Sequence, residues 1–364
     1  MIDQVADAFK GKDYRTAAAL LKQLVKEQPQ NPWVHFYIGR LKEEGGRLEE
    51  ADRIYRQLLK GTTNPKIVSQ ARQGLKRLED NAKQQRQQQL AAAKADAGSA
   101  EQGLLVLEAI SSELKQDAAQ KFARILQIDP YTARINLPSR GWRLYQVGSV
   151  GELKYYSQQL QEAEIPCFVA ALSELEKINV LAVSYFQSVE SQTVVVCQNA
   201  PNQVESFSFN WSEVKQRVLG LLPIFEEVVE LDRNNKTQRK TQILDYVQFC
   251  DLHLPARGSI LRLCDRNYQF QQGMALDKKQ EVVQPLSQTT TRKSWDNLSS
   301  FLDGQLPEIS TWSDFTTFAE TTLDRTEFLK RLKSHIDLFR RKETLWDPAF
   351  HLYSGLVFLR EAQR

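Results

Sequence analysis

Apolar residues recur at helical spacing through the first eighty positions, and the recurrence itself repeats. Ala17 in "GKDYRTAAALLKQLVKEQPQNP" and Ala51 in "GGRLEEADRIYRQLLKGTTNP" lie 34 residues apart. On that spacing Tyr14 falls over Leu48, Leu21 over Tyr55 and Leu24 over Leu58, so a small residue followed by two large ones marks one face twice. Small Ala17, Ala51 and Gly39 let two antiparallel helices approach closely, and Leu21 and Tyr55 fill the space between neighbouring hairpins. Pro29 ends a helix, because proline has no amide hydrogen and clashes with the preceding turn. Ile67, Ala71, Leu75 and Leu78 form a further stripe, with Lys66, Arg72, Lys76 and Arg77 off it, and predict a capping helix over 66–79.

The pattern then lapses. Between Asn81 and Gly103, "NAKQQRQQQLAAAKADAGSAEQG" has one large apolar residue, Leu90, and reads as a linker whose first part continues as a solvated helix. From 104 the period changes. "LLVLEAI" (104–110), "WRLYQV" (142–147) and "PCFVAAL" (166–172) read as strands, separated by helical spacing over 112–127 and 151–163 and a helical turn opened by Asp129-Pro130. "INVLAVSYF", "TVVVCQ" and "ESFSFNW" predict an antiparallel meander within 178–211. A helix is predicted from Ser212 to about Leu231, kinked or split at Pro223, followed by a charged surface loop over 232–240. "ILDYVQFCDLHL" and "SILRLCDRNYQF" predict a β-hairpin turning at Pro255–Gly258.

A polar loop over 271–292 leads into helical stripes. Trp295, Leu298, Phe301 and Leu302 make the first; Trp312, Phe315 and Phe318 the second; Phe328, Leu332, Ile336 and Phe339 the third, headed by Asp324 and Glu327 as a capping box. Asp347-Pro348 opens a last helix with Phe350, Tyr353, Leu356, Val357 and Phe358. The fold class is therefore α+β: helical hairpins over 1–80, a linker over 81–103, an α/β middle over 104–285 and a helical region over 286–364. Within the middle, the strand and helix order of 104–173 suggests a ferredoxin-like or related two-layer unit, and 174–285 an antiparallel sheet. "YQVGS", a helix and "IPCFVAAL" also resemble the second half of the peptidoglycan-binding domain of bacterial division proteins. The absence of an export signal sets against that function, and the likeness is read as one of small two-layer domains in general.

The first eighty residues resemble the tetratricopeptide repeat family. The resemblance rests on the 34-residue period, the small-then-large positions of both copies, Pro29 at the repeat end and Ile38-Gly39 where the family has a Leu-Gly pair. The first copy departs from the pattern, with Gln4-Val5 at that pair. As a whole the chain resembles tetratricopeptide proteins of cyanobacteria. The family implies a protein or peptide held on the concave face, and repeat geometry makes Asn31, His35, Lys42 and Arg53 the candidate partner-binding residues.

Composition narrows the alternatives. Of the 364 residues 41% are apolar and 26% charged, which suits a globular chain of more than one domain. Residues 1–100 hold 18 Lys and Arg against 12 Asp and Glu, and the remainder 30 against 33. That mild basic bias, interleaved with acids and glutamines, is not a nucleic-acid footprint, and no nucleic-acid partner is expected. The start Met1-Ile2-Asp3-Gln4 has no signal-peptide character and no window is apolar enough to span a bilayer, so a cytoplasmic protein is expected.

The candidate chemistry is thin. Cys250, His253 and Cys264 supply three ligands where structural zinc takes four, and strand alternation sends Cys250 and His253 to opposite faces. They read as core cysteines with an exposed histidine. His335 and His351 have no sequence partner of the kind a general base needs, and Ser354-Gly355 lacks the surrounding nucleophile motif. No catalytic, metal-binding or cofactor-binding residue is assigned. The expected function is a non-enzymatic adaptor or assembly factor that binds a partner polypeptide; the alternative is a regulatory protein sensing a small molecule in the middle α/β region.

Overall fold

Helical hairpins occupy the beginning of the chain and two sheets with their covering helices the rest. The computed structural model describes every residue except 96, 97, 99, 191, 201, 202, 232–236, 275–290, 341–343, 363 and 364. It comprises two compact units, Met1–Ala92 and Ala93–Arg364.

The first unit contains α1 (Ile2–Lys10), α2 (Tyr14–Glu27), α3 (Pro32–Glu44), α4 (Leu48–Gly61) and most of α5 (Pro65–Ala95). Local chemistry starts the helices where expected. Asp13 accepts a hydrogen bond from the Thr16 amide at 3.0 Å, and Asn31 from the Trp33 amide at 3.0 Å with Pro32 in the first turn. Ala17 and Ala51 are both the fourth residue of the second helix of a hairpin, and both are fully buried. Val5, Phe9, Leu21, Leu24 and Val34 pack with Ala17; Phe36, Tyr55, Leu58, Ile67 and Ala71 pack with Ala51. The predicted capping helix is the start of α5, whose buried stripe ends at Leu78; beyond it the helix runs on through mostly exposed Gln, Ala and Lys positions.

In the second unit, β1 (Gln102–Glu108), α6 (Lys115–Leu126), α7 (Pro130–Asn136), β2 (Trp142–Ser149), α8 (Val150–Glu162) and β3 (Cys167–Ala171) form a two-layer module. β1 lies between β2 and β3, antiparallel to both, so β2-α8-β3 is a split β-α-β unit. The run Leu104-Leu105-Val106-Leu107 is buried throughout because both faces of this sheet are covered. Leu105 and Leu107 meet Phe122 and Leu153 of the helical layer, and Leu104 and Val106 join the core that the rest of the unit completes.

That remainder comprises α9 (Leu172–Glu176), β4 (Asn179–Ser188), β5 (Thr193–Ala200), β6 (Gln203–Phe209), β7 (Gln216–Leu231), β8 (Thr237–Leu254), β9 (Ser259–Cys264), α10 (Thr291–Gln305), β10 (Ser310–Trp312), α11 (Phe315–Thr322), α12 (Thr326–Leu329) and α13 (Trp346–Ala362). The strands form a sheet in the order β10-β7-β8-β9-β4-β5-β6, parallel at β10/β7 and β4/β9 and antiparallel elsewhere. α10 covers one face through Trp295, Leu298 and Leu302. On the other face α13 buries Phe350, Tyr353, Leu356 and Val357 in a core shared by the two sheets. Contact there is close: a Cβ on Gly220 of β7 would stand 2.2 Å from the Phe350 ring.

Several expectations are corrected. The predicted helix after Ser212 is β7: Val214, Gln216, Val218, Gly220 and Leu222 are buried while the residues between them are more exposed, which is a period of two. Pro223 lies beyond the reach of β10, where β7 is an edge strand and a missing amide is tolerated. The cap is formed by Asn210, not Ser212, in a capping box with Glu213 around a single 3-10 turn. Of the predicted loop 232–240, residues 232–236 lie outside the described residues, and 237–240 belong to β8. Of the polar loop 271–292, residues 275–290 lie outside the described residues and α10 begins at Thr291.

Trp312 belongs to β10, so the second aromatic stripe begins its helix only at Phe315. The third stripe yields α12 alone. Arg325 occupies its N-cap without a side-chain bond, and Glu327 pairs with Lys330 at 3.0 Å, so the capping box is absent. Past α12 the carbonyls a helix would use are taken from outside. Arg262 donates to Ser334 O at 2.8 Å and Asn267 to Asp337 O at 2.6 Å, and His335 adopts a left-handed φ of 53°. Leu332 and Ile336 still pack on the core, whereas Phe339 is exposed.

Candidate functional site

In the repeat unit, successive hairpins meet where α2 packs on α3 through Leu21, Leu24 and Val34, and also between their first helices. Phe9 of α1 stacks on Tyr37 of α3 with ring centroids 5.4 Å apart, and Trp33 stacks on the same ring at 6.2 Å. The Arg40 guanidinium lies over the Phe9 ring at 5.1 Å. Arg77 of α5 donates from Nε and Nη2 to Glu43 of α3 at 2.8 and 2.9 Å. The first helices α1, α3 and α5 therefore lie side by side, and α2 and α4 fall behind them. Glu43 and Arg77 are one repeat apart in sequence, so this bidentate pair ties consecutive copies together.

Tyr55 locks the same junction from behind. Its ring is wedged between two glycines: a Cβ on Gly39 would stand 2.8 Å from it, and one on Gly74 2.6 Å. The Tyr55 hydroxyl donates to Glu43 Oε2 at 2.6 Å. Burial, reinforced by the Glu43 carboxylate, pushes the Tyr55 phenol well above its ordinary range. Burial works against the Glu43 charge, but the hydrogen bonds from Arg77 and Tyr55 hold its carboxyl below the usual value.

The four residues chosen from repeat geometry lie along α3, from its N-cap to its last turn, and on α4. Asn31 is occupied as a cap, with its amide donating to Gln28 at 2.6 Å. Lys42 pairs with Glu50 at 2.6 Å. His35 has Nε2 at 2.8 Å from Pro29 O and lines a hollow of about 210 Å³ with Gln30, Pro32, Ile54 and Leu58. Arg53 is exposed on α4 in a shallow hollow with Glu49, Asp52, Arg56 and Lys60, which adjoins that of His35 at Gln57. Repeat geometry passed over Trp33, Tyr37 and Arg40, all half-buried on the α1–α3 face. The aromatic density of "WVHFY" was the available signal.

The second unit holds a pocket of about 380 Å³ between the β4–β9 region and residues 333–337, with Ser184, Gln198, Arg262, Asn267, Lys333 and His335 among its lining. Behind it lies a polar chain. Arg262 donates to Asp251 Oδ1 and Oδ2 at 2.9 and 2.8 Å, and Ser354 Oγ donates to Asp251 Oδ2 at 2.6 Å. The Gln216 amide donates to Val357 O at 3.0 Å and to His253 Nδ1 at 3.1 Å. The His253 proton is thereby placed on Nε2, from which it is donated to Ser354 Oγ at 2.9 Å. Trp312 donates to Gln216 Oε1 at 3.1 Å.

The expected exposed histidine is thus fully buried. Alternation does separate Cys250 from His253, but helices cover both faces of the sheet, so each side chain enters a core. Burial pushes His253 down to about 4 and the thiols of Cys197, Cys250 and Cys264 up to about 12. Ser354, His253 and Asp251 look superficially like a hydrolytic trio, yet the polarity is wrong. A nucleophilic serine gives its proton to histidine, whereas this one gives it to aspartate and accepts from histidine, with none of the three exposed. These hydrogen bonds, with that from Gln216 to Val357 O, tie α13 to β7 and β8.

Among the described residues no group of three or more His, Cys, Asp or Glu side chains could hold a metal ion, and no helix is long and apolar enough to cross a membrane. Residues 8–67 match the family model of the tetratricopeptide repeat, so the N-terminal unit is a tetratricopeptide-like module. No curated protein and no solved structure matches the chain.

Proposed function

We propose that the protein is a non-enzymatic adaptor or assembly factor whose repeat unit holds a partner polypeptide. The observation that carries this reading is the arrangement of α1, α3 and α5 side by side, leaving Trp33, Tyr37 and Arg40 partly exposed on one face. Aromatic and arginine side chains on a rigid scaffold are the residue types that anchor polypeptide interfaces. Lys10 and Asp7, paired at 3.0 Å on α1, supply an exposed polar rim. Two hairpins and a cap make a short groove, which suits a segment of a few residues. A polypeptide, not a nucleic acid, is the partner in this reading.

The test is affinity capture with three baits: the intact chain, a chain beginning at Gly103, and the intact chain with Tyr37→Ala and Arg40→Glu. The last two are expected to lose the same polypeptides. Recovery of those polypeptides by the chain lacking the repeats would end this reading.

The pocket of about 380 Å³ favours a second reading, a regulatory protein that senses a small molecule, since its size and mixed lining suit a compact ligand. Stabilisation of the intact chain by one member of a metabolite panel, lost on Gln198→Ala, supports it; no response from any member counts against it.

A further inference from the structure

Most of the large apolar side chains exposed on the second unit fall in two places. One is the two-stranded ribbon that β7 and β8 form beyond the ends of β9 and β10, which displays Leu221, Val229, Ile243, Leu244 and Tyr246. The other is the surface around α7, where Leu114, Tyr131 and Ile135 are 65%, 74% and 55% exposed. This second place is also a cluster of cations.

Arginines elsewhere in the unit meet carboxylates: Arg217 meets Asp303, Arg257 Glu213, Arg262 Asp251 and Arg360 Glu108. Around α7 the pattern changes. Lys115 donates to Ser139 Oγ at 2.8 Å and Arg140 to Thr317 Oγ1 at 3.2 Å. Arg143 donates to Ile135 O at 2.9 Å and Arg325 to Tyr145 O at 2.7 Å. All four acceptors are neutral, so the side chains are held in place with their charge intact. Burial, then the neighbouring charges of Arg134 and Arg143, push the Lys115 ammonium below its ordinary value. Arg325 acts on Arg143 in the same sense, after burial, with Asp324 opposing. The remaining acids nearby are engaged or peripheral. Asp117 pairs with Lys121 at 3.0 Å, Glu327 with Lys330 at 3.0 Å, and Asp129 caps α7 through the Thr132 amide at 2.9 Å. Glu113 is exposed at the edge, next to Leu114.

Apolar and basic positions are interleaved here. Leu114 precedes Lys115 at the start of α6, and Tyr131, Arg134 and Ile135 share one side of α7 by their three- and four-residue spacing. A protein interface keeps charge out of its apolar core and places it in a rim, which is a different arrangement. Single-stranded nucleic acid is held by cations beside aromatic rings that stack on bases, whereas two of these three apolar residues are aliphatic. A bilayer with anionic headgroups suits the interleaved pattern. Apolar tips sink below the headgroups while Lys and Arg stay level with the phosphates.

We propose that this surface docks on a bilayer rich in anionic lipid. Leu114, Tyr131 and Ile135 enter the boundary between headgroups and acyl chains, and Lys115, Arg134, Arg140, Arg143 and Arg325 hold the lipid phosphates. Each cation near such a surface contributes about fivefold in affinity. Three apolar tips make a shallow anchor, so binding is reversible and weakens with salt. The inference is independent of what the repeats bind.

The experiment is flotation of the intact chain with vesicles of phosphatidylcholine, alone or with an equal part of phosphatidylglycerol. Circular dichroism and melting are the folding controls. The wild-type chain is expected to float with the anionic vesicles only, and to be released by high salt. Arg134→Glu should weaken binding about 25-fold, since it removes one attraction and adds one repulsion at about fivefold each. Lys26→Glu makes the same change of charge on α2 and should shift binding less than about twofold. Tyr131→Ser with Ile135→Ser should weaken it at least about tenfold at unchanged net charge. These positions are exposed, so the folding controls should hold. Absence of binding to anionic vesicles overturns the proposal, as does equal binding to phosphatidylcholine, or indifference to Arg134→Glu or to the paired serine variant. Poly-uridine and poly-glutamate are tested alongside. Binding of either in place of vesicles, lost on Arg134→Glu, assigns the surface to a nucleic acid or an acidic polypeptide and likewise overturns it.

Discussion

Replacing Gly74 with alanine sets two effects of opposite sign against each other. Inside a helix the change ordinarily stabilises by about 1 kcal/mol, because alanine has less backbone entropy to lose. In α5 the new Cβ would stand 2.6 Å from Tyr55 Cε2 and 2.7 Å from Cζ, too close for either to remain in place. The ring has little room to retreat. Gly39 closes the other side, where even a glycine-sized gap is needed, and the hydroxyl is tied to Glu43 at 2.6 Å. Overpacking of this kind costs about 1–3 kcal/mol. Moving the ring also strains a hydrogen bond to a charged group, which contributes about 1.5–3 kcal/mol.

The steric cost wins, leaving a net loss of about 1–3 kcal/mol. Because the two units need not unfold together, the assay is amide hydrogen exchange in the intact chain, read on peptides from Leu48–Gly61. Protection there should fall about 10- to 100-fold. In a Tyr55→Leu background the obstructing ring is gone, and Gly74→Ala should then raise protection. Unchanged or increased protection from Gly74→Ala in the wild-type background would refute the clamp.

Arg77→Met removes the partner of Glu43, a carboxylate whose side chain is only 9% exposed, and should destabilise the α3–α5 junction by about 1–2 kcal/mol, since Arg77 itself is partly solvated. Adding Glu43→Gln should recover part of that loss, as exchange rates in α3 and α5 would show. Asp251→Asn leaves the buried Arg262 guanidinium without its counter-charge and should cost about 3–5 kcal/mol. Tryptophan fluorescence during urea unfolding reads this, because five of the six tryptophans are in the second unit. The same signal tests pH dependence. His253 is held neutral down to about pH 4, whereas the unfolded chain takes up that proton near its ordinary value of 6.5, so stability is full above 6.5 and falls as pH drops toward 4. The loss reaches about 3 kcal/mol from His253 alone. His335 and His351, whose rings are 5.0 Å apart beside Arg262, act in the same direction. His253→Gln should flatten the profile; a flat wild-type profile would count against the buried neutral ring.

What could be read from sequence follows from how local each signal is. Ala17 and Ala51 declare close packing by size and period, and the strands at 142–147 and 166–172 by alternation and short apolar runs. The stretch after Ser212 defeated the same reasoning. "VLGLLPIFEEVVEL" is apolar on both faces, so its spacing suits a helix as well as a strand, and only its antiparallel partner β8 decides. Residues 328–339 failed for a different reason. Their spacing is helical, but Arg262 and Asn267, some seventy residues earlier, claim the carbonyls a helix would need.

The candidate sites divide along the same line. Glu43 and Arg77 are a repeat period apart, so the pair that joins hairpins was present in the pattern once the period was known. The Gln216–His253–Ser354 chain was not, because its members are 37 and 101 residues apart on separate elements. The ribbon face is the extreme case. Leu221, Val229, Ile243 and Tyr246 look in sequence like any other core residues, and hydrophobicity alone assigns them to the interior. Only the lengths of β9 and β10 decide otherwise, since these two strands stop short and leave β7 and β8 to continue by themselves. Function in the repeat unit can therefore be sought in periodic residues, while the exposure of the ribbon depends on where neighbouring strands end.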